Sequence, residues 1–229
     1  ESCSPYERPP LSKDFLSGAR TFEEIQLRAP AVWEAQSINL LPGKRAASLD
    51  AAKHELCLDD GSRLGYGSLV WAAGGRARRL ACPGSEVAGI QSIRSRADVD
   101  ALRVDLEQAS SVVVIGAGYV GLESAATLKS LGKHVTVLES LPRVLARVTG
   151  PELSSFIQGM HADRGVEVVL NAAVEGIESR AGRLTAVRLA DGRRFEAQVA
   201  IVGIGILPNV EVLVAAGAKA TNGVHVDVQ

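Results

Sequence analysis

The stretch SVVVIGAGYVGLESAATLKSLGKHVTVLE, residues 111–139, decides the fold of this chain. Its continuous β-branched run SVVVI predicts a buried strand. The helix that follows GAGYVG stops at Gly132, and glycine is typical of the position just past a helix end. HVTVLE then predicts a second strand. Strand, tight loop, helix and strand within about 30 residues form a βαβ unit, so the two strands are parallel with a right-handed crossover.

GAGYVG itself places glycines at the three positions of a GxGxxG motif, Gly116, Gly118 and Gly121, with Tyr119 and Val120 between the last two. The first glycine permits a tight turn, the second lets the backbone approach a pyrophosphate, and the third allows close packing of helix on strand. A pyrophosphate at this place sits on the positive N-terminus of the helix. The motif therefore predicts a dinucleotide-binding loop.

Glu139 closes the second strand, where an acidic side chain accepts hydrogen bonds from the ribose hydroxyls of the adenosine. A carboxylate there repels a 2′-phosphate, which favours NAD(H) over NADP(H). Arg143 and Arg147 follow closely, and either they receive a 2′-phosphate or they are solvated charges. Glu123, in the first turns of the helix, either points toward the nicotinamide or is an exposed helical glutamate.

The flanking sequence supplies further elements of an α/β fold. Helices are predicted at about residues 96–108 and from Pro151 to near Gly165, and a third strand at residues 166–170. An antiparallel meander then runs to Gly205. Residues 37–73 are strand-like with turns, and Pro30 interrupts any helix that begins at the Thr21 cap.

An internal repeat links two distant segments of the chain. ADGRRFEAQVAIVGIG (residues 190–205) aligns without gaps on DDGSRLGYGSLVWAAG (residues 59–74) at an offset of 131. Both copies combine an Asp-Gly turn, an apolar run and an ending in small residues. At the same offset, the glycine loop of the first copy would precede Glu1. We therefore expect one complete nucleotide-binding domain and part of another, within a piece of a longer protein.

The bulk composition excludes several classes of partner and site. The net charge of −1, with 22% charged residues, gives no sign of a nucleic acid or anionic membrane partner, and no apolar run is long enough to span a membrane. The three cysteines form no redox or disulfide spacing, and no histidine has the spacing of a metal ligand. We expect no metal site and, from the unpaired cysteines and the lack of a signal peptide, a cytoplasmic location.

PYERPPLSKDFL, residues 5–16, carries three prolines and the cations Arg8 and Lys13. A stiff loop with fixed cations can hold a phosphate or an electron-rich ring, and an ordinary Pro-rich linker is equally compatible with this composition.

Six segments in this order resemble one known family: PYERPPLSKDFL, LVWAAGG, SIRSRAD, VVVIGAGYVGLESA, VLESLPRVLARV and VGIGILPN. The set is similar to the FAD-dependent NADH:ferredoxin reductases that serve bacterial cytochromes P450 and ring dioxygenases, the relatives of putidaredoxin reductase. The resemblance covers nearly all 229 residues, and its first segment is the most specific.

The resemblance implies two Rossmann-like FAD/NAD(P)-binding domains of three-layer ββα architecture, the first incomplete. Residues 1–103 would belong to the FAD domain and residues 104–225 to the NAD domain, with residues 226–229 starting the return to the FAD domain. FAD would contact Arg8, Pro9, Lys13, Ala72, Ala73, Gly74 and Arg94, whereas Glu123, Gly203, Ile204 and Gly205 would approach the nicotinamide.

The implied activity is electron transfer from NADH through FAD to a [2Fe–2S] ferredoxin or rubredoxin, with no side-chain acid, base or nucleophile. The FAD-binding GxGxxG and a later Gly-Asp motif of the family are absent, so the chain by itself is expected to bind flavin poorly. Disulfide-reducing relatives carry reactive cysteines where this chain has RPPLSKDF, which disfavours dithiol chemistry. The alternatives are a related NADH oxidase, a peroxide or quinone reductase, or a non-catalytic NAD-binding module.

Overall fold

The computed structural model describes residues 1–227 of the chain. The return to the first domain that the resemblance implies at residues 226–229 falls partly outside this range. The α-helices of the described part are α1 (Asp14–Ser17), α2 (Pro30–Ala35), α3 (Arg96–Glu107), α4 (Tyr119–Ser130), α5 (Pro151–Asp163) and α6 (Glu211–Ala215). Short 3₁₀ helices cover Pro9–Ser12 and Glu23–Ile25.

The strands belong to four sheets. They are β1 (Ala46–Asp50), β2 (Glu55–Leu58), β3 (Arg63–Gly65), β4 (Gly75–Ala77), β5 (Ile90–Gln91), β6 (Ser111–Ile115), β7 (His134–Leu138), β8 (Glu167–Val169), β9 (Val174–Arg180), β10 (Arg183–Leu189), β11 (Arg194–Glu196), β12 (Val199–Val202) and β13 (Ile206–Pro208). The chain divides into two compact units. The first contains Glu1–Tyr6, Gln26–Arg76 and the chain from Ile206 onward, and the second contains Glu7–Ile25 and Ala77–Gly205.

The second unit is built on a five-stranded parallel sheet in the order β5-β12-β6-β7-β8. β6 is the central strand, and the chain moves from it to β7 and β8 on one side and returns to β12 on the other. Such a reversal of strand order opens a crevice at the carboxyl ends of the strands, where ligands bind in this class of sheet. The predicted βαβ unit is confirmed.

Layers of different kinds cover the two faces of this sheet. Side chains alternate along a strand, so Val113 and Ile115 of β6 share one face, where they pack with Leu184 and Val187 of the antiparallel sheet β9-β10-β11. Helix α4 packs on β6 and β7. Antiparallel sheet, parallel sheet and helices give the three-layer ββα architecture, and the predicted α/β class is confirmed.

Local sequence signals set the helix boundaries of this unit. Ser95 and Asp98 form a reciprocal capping box at the start of α3, and Pro151 occupies the first turn of α5. The chain leaves α4 through Gly132, whose φ of +78° is the left-handed conformation expected after a helix end.

The first unit contains a three-stranded antiparallel sheet in the order β1-β2-β3, and α6 contacts β1. Pro30 starts the short helix α2 rather than breaking a longer one, because its ring is favourable only in a first turn. β13 pairs with β4.

The internal repeat is confirmed by identical strand registers. Leu56 lies opposite Leu64 in the β2–β3 hairpin, and Val187 lies opposite Phe195 in the β10–β11 hairpin, each residue displaced by 131. The same correspondence holds along both hairpins. The repeat also extends to β1 and β9, at an offset of 128, with an irregularity at the same place in both pairs. Sequence comparison missed this extension because the β9–β10 turn and the β1–β2 turn differ in length.

The two copies differ where each apolar run should form a strand. Residues 199–202 form β12, which has a parallel neighbour on each side, and its Ile201 is fully buried. Residues 69–74 form no strand, and Val70, the counterpart of Ile201, is 86% exposed. A parallel strand needs neighbours to satisfy its backbone groups, and within residues 1–227 no strand pairs with this segment.

Candidate functional site

The glycine loop lies at the carboxyl end of β6, where the chain turns into α4. Gly116 has a φ of +103°, and a Cβ placed on it would lie 2.6 Å from the carbonyl oxygen of Gly203. The backbone N–H of Gly116 donates to Leu138 O at 2.8 Å. Only glycine is compatible with both the backbone conformation and this close approach.

Gly118 and Gly121 serve different purposes in the same loop. A Cβ on Gly121 would overlap Gly116 O, so this glycine is required by packing. A Cβ on Gly118 would meet no protein atom within 4 Å. Gly118 is also the N-cap of α4 and has no side chain to cap the backbone amides of the first turn, which lack intrahelical partners. This arrangement fits the pyrophosphate of a dinucleotide.

Tyr119 and Val120 occupy the first turn of α4, with exposed fractions of 59% and 40%. Both side chains are therefore accessible to solvent at the start of the helix.

Glu139 follows directly after β7, and its half-buried carboxylate is fixed by backbone groups. One oxygen accepts a hydrogen bond from Ala117 N at 2.7 Å, and the other accepts from Leu141 N at 2.9 Å. The carboxylate is therefore fixed beside the glycine loop, within reach of a ligand bound there.

Arg143 is engaged by its own loop. Its guanidinium donates to Thr149 O at 2.6 Å, to Ala146 O at 2.8 Å and to Ser154 Oγ at 2.9 Å. These bonds tie the loop after β7 to the start of α5. The structure therefore favours a structural role for Arg143 over a 2′-phosphate contact, whereas Arg147 is exposed.

The end of β12 adjoins the glycine loop. Gly203 N donates to Ile115 O at 2.8 Å, and a Cβ on Gly203 would lie 3.7 Å from Gly121 Cα. Beyond the half-buried Ile204, Gly205 is exposed with a φ of +105°, and its carbonyl accepts from Arg78 N at 2.9 Å. The structure thus brings Gly116, Gly121 and Gly203 together at the crevice between β6 and β12.

Glu123 on α4 is paired with the proline-rich segment of the second unit. One carboxylate oxygen lies 2.7 Å from Lys13 Nζ, and the other accepts from Ser12 Oγ at 2.7 Å. The Lys13 and Glu123 side chains are 43% and 32% exposed, whereas Ser12 is buried. Glu123 is therefore not an isolated surface glutamate.

Two other residues of the N-terminal segment contact Lys13 or the chain just before α3. Pro9 opens the 3₁₀ helix Pro9–Ser12, and its carbonyl oxygen lies 3.4 Å from Lys13 Nζ. The Arg8 guanidinium donates to the carbonyl oxygen of Arg94, whose own N–H donates to Asp98 at 3.0 Å. The side chain of Arg8 is thereby linked to the backbone of Arg94.

Ala72, Ala73 and Gly74 belong to the first unit and are exposed. Asn209 makes two hydrogen bonds to this segment. Its side-chain Nδ2 donates to Ala73 O at 3.0 Å, and its backbone N–H donates to Gly74 O at 2.9 Å. Trp71 Nε1 in turn donates to Asn209 O at 2.9 Å.

Neither a metal centre nor a disulfide accompanies these residues. Within residues 1–227, no group of three or more His, Cys, Asp and Glu side chains is placed to hold a metal ion. Cys3, Cys57 and Cys82 are free and half-buried. No helix in the described range is both long and apolar enough to cross a membrane.

The family model for pyridine nucleotide-disulphide oxidoreductases matches residues 1–229. The chain belongs to the pyridine nucleotide-disulphide oxidoreductase family. Among its curated relatives, the ferredoxin reductase subunit of 5,5′-dehydrodivanillate O-demethylase from Sphingobium is 50% identical over 99% of this chain. Putidaredoxin reductase from Pseudomonas putida is 38% identical over 97% of it.

Solved structures of ferredoxin reductases are also similar to this chain. The ferredoxin reductase for the CYP199A2 system of Rhodopseudomonas palustris superimposes with a TM-score of 0.94 at 36% identity, covering 98% of this chain and 55% of that one. The reductase in a covalent putidaredoxin reductase–putidaredoxin complex gives 0.92 at 38% identity, covering 97% and 54%. The chain spans about 55% of the length of the curated relatives described above.

Three residues beside the predicted site residues were not identified from the sequence. They are Ser12 and Thr127 in the second unit, where Thr127 Oγ1 donates to Ser12 O at 2.8 Å, and Asn209 in the first unit. Thr127 lies four positions after Glu123 on α4, so the two side chains share a helix face. That spacing was a usable signal for Thr127. The contacts of Ser12 and Asn209 are with residues more than 100 positions away and have no local signature.

Proposed function

We propose that this chain is part of an FAD-dependent NADH:ferredoxin oxidoreductase. The full-length protein would pass electrons from NADH through FAD to a small [2Fe–2S] ferredoxin, or a rubredoxin, that feeds an oxygenase. Because the chain spans about half the length of its relatives, the activity and the partner are proposed for the longer protein.

The contact of Lys13 and Ser12 with Glu123 is the observation that carries this proposal. Residues 5–16 are the segment most specific to the ferredoxin reductase resemblance, and Glu123 lies on the helix that starts at the glycine loop. A cation assigned to the flavin and a carboxylate assigned to the nicotinamide thus meet within one compact unit. The ferredoxin reductases among the relatives support the same activity.

NADH would be held by backbone and by one carboxylate. The amides at the start of α4, exposed by Gly118, would bind the pyrophosphate, and Glu139 would accept hydrogen bonds from the adenosine ribose. Tyr119, Val120 and the glycines of the loop would line this site, and Gly203, Ile204 and Gly205 would approach the nicotinamide. The engagement of Arg143 by its own loop supports NADH over NADPH.

FAD would contact Arg8, Pro9, Lys13 and Arg94 and, in the first unit, Ala72, Ala73 and Gly74. Bound FAD would accept a hydride equivalent from NADH and supply single electrons to the acceptor. The side chains of this chain would bind and orient the two cofactors. GxGxxG occurs once in the sequence, so the residues present fit only part of an FAD site.

We also propose the division by cofactor that the resemblance implies, with residues 1–103 in an FAD domain, residues 104–225 in an NAD domain and the return starting at residues 226–229. The three free cysteines support a reducing, cytoplasmic environment.

The test uses the full-length protein loaded with FAD. Without oxygen, NADH should bleach the flavin, and the reduced protein should then reduce a [2Fe–2S] ferredoxin or rubredoxin. Reduction of oxygen, peroxide, a quinone and a disulfide is measured in parallel. Transfer to the iron–sulfur protein should be the fastest. A protein that binds no flavin would be a non-catalytic NAD-binding module, and preferential reduction of oxygen, peroxide or quinone would identify the alternative reductase class.

A further inference from the structure

Thr127 makes a contact that a threonine in the middle of a helix rarely makes. Such hydroxyls usually face solvent or bond the carbonyl four residues earlier in the same helix. Ser124 on α4 does the latter, with its Oγ donating to Val120 O at 2.6 Å. Thr127 Oγ1 instead donates to Ser12 O, in the proline-rich segment, at 2.8 Å.

This bond belongs to a short chain of contacts between the two segments. Thr127 holds the backbone carbonyl of Ser12, and the hydroxyl of Ser12 donates to one oxygen of Glu123 at 2.7 Å. The other oxygen of Glu123 pairs with Lys13, the residue after Ser12. Two anchors one turn apart on α4, Thr127 and Glu123, therefore hold consecutive residues of the N-terminal segment.

The exposed fractions of these side chains differ, and with them how strongly each contact can orient its partner. Ser12 is 3% exposed, whereas the Lys13 and Glu123 side chains are 43% and 32% exposed. An ion pair exposed to this extent contributes little to stability and orients its partners weakly. Hydrogen bonds to a buried residue orient more strictly, because a buried group that loses its partner cannot turn to water.

We propose that Thr127 is a positioning residue for electron transfer from NADH: through Ser12 it fixes the Glu123 carboxylate and the Lys13 ammonium against each other. This inference rests on the proposed function, in which Lys13 lies on the flavin side and Glu123 on the nicotinamide side. Thr127 is assigned no contact with either cofactor and acts only through Ser12 and Glu123.

The test is made in the full-length, FAD-loaded protein with Thr127→Val, which keeps the shape and removes the hydroxyl, and Thr127→Ser, which restores it. The limiting rate of flavin reduction by NADH should fall about two- to tenfold in Thr127→Val, the loss expected for one neutral hydrogen bond. The NADH concentration at half-maximal rate should stay within about twofold, because the glycine loop and Glu139 are untouched. Thr127→Ser should recover most of the rate.

Ser130→Ala is the matched control, because Ser130 lies on the same helix and its Oγ donates only to Thr127 O, at 2.7 Å, in the contacts described. Amide hydrogen exchange supplies a readout besides activity. The backbone amides of residues 11–17 should exchange faster in Thr127→Val than in the native protein, and at the native rate in Ser130→Ala and Thr127→Ser; Pro9 and Pro10 carry no amide hydrogen.

A double-mutant cycle with Glu123→Ala separates positioning from general destabilisation. If Thr127 acts through Glu123, Thr127→Val should have little further effect on the limiting rate once Glu123 is removed. Additive losses, or a native rate in Thr127→Val, would overturn the inference while leaving the proposed function intact. A native rate in Glu123→Ala itself would instead overturn the nicotinamide-side role of Glu123, and with it the inference.

Discussion

The carboxylate of Glu139 accepts a hydrogen bond from the backbone N–H of Ala117 at 2.7 Å. The Glu139 carboxylate thus links the end of β7 to the glycine loop that follows β6, at the carboxyl edge of the parallel sheet. The carboxylate therefore holds the backbone of the glycine loop, and we propose that it also contacts the dinucleotide bound there.

Replacing Glu139 with Ala should weaken NADH binding by about 1.5–3 kcal/mol, because hydrogen bonds to a charged acceptor are lost. The dissociation constant of NADH, measured by titration, checks this value. Glu107→Ala is the control, since Glu107 is an exposed carboxylate at the end of α3. Equal NADH affinities of the native and Glu139→Ala proteins would show that Glu139 does not contribute to NADH binding.

Substitutions of Gly121 and Gly118 should have different effects, the first on the stability of the fold and the second on NADH binding. Gly121→Ala should cost about 1–3 kcal/mol or more of folding free energy, because its methyl group overlaps Gly116 O. Gly118→Ala should change stability by only about 1 kcal/mol, since its methyl group meets no protein atom, yet it should weaken NADH binding by occupying the approach to the helix N-terminus. Urea unfolding and NADH titration of both variants make the comparison. Native NADH affinity in Gly118→Ala would refute the pyrophosphate assignment.

Arg143→Met should lower stability without changing the preference for NADH over NADPH. Its guanidinium donates to two carbonyls of its own loop and to the Ser154 hydroxyl at the start of α5, and those acceptors lose this donor in the variant. Thermal unfolding and the ratio of affinities for the two nucleotides are the measurements, with Arg147→Met as the matched variant. A fall in NADPH affinity specific to Arg143→Met would show that this arginine reaches the 2′-phosphate.

In this 229-residue chain, shortening one apolar side chain should destabilise the second copy of the repeat much more than the first. Ile201→Ala should destabilise it by about 2–5 kcal/mol, the cost of truncating a fully buried isoleucine. Val70→Ala should change stability by less than about 0.5 kcal/mol, because Val70 is exposed. In the full-length protein, Val70→Ala should become destabilising if residues 69–74 complete a parallel sheet there. An unchanged stability of that variant would argue against such a sheet.

The stability of the chain should contain a contribution from His161 that depends on pH. Burial, and secondarily the charge of Arg164, lowers the pKa of His161 below its ordinary value of 6.5. The unfolded chain therefore takes up this proton at a higher pH than the folded chain, so the contribution is present above pH 6.5 and is lost as pH falls through the lowered folded pKa. Denaturant midpoints at about pH 7.5 and about pH 5.5 should differ less in His161→Gln than in the native chain. The same pH dependence in both would exclude His161 as the source.

The sequence alone determined the features that depend on neighbours in the chain. The strand-loop-helix-strand pattern of residues 111–139, the capping box of α3 and the glycine after α4 are local, because hydrophobic periodicity and backbone conformation act over a few residues. The Asp-Gly turns of the repeat are local too, which is why their common register could be anticipated from 16 aligned residues.

Only the tertiary structure decided which distant groups meet. Glu123 was equally compatible with a nicotinamide site and a solvated helix face until the fold placed Ser12 and Lys13 against it, more than 100 positions away. Likewise, the apolar pattern of residues 69–74 predicts a strand, but a parallel strand forms only where other strands satisfy its backbone hydrogen bonds. Residues 199–202 have those neighbours, whereas no strand within residues 1–227 pairs with residues 69–74, so the same local pattern ends in two different structures.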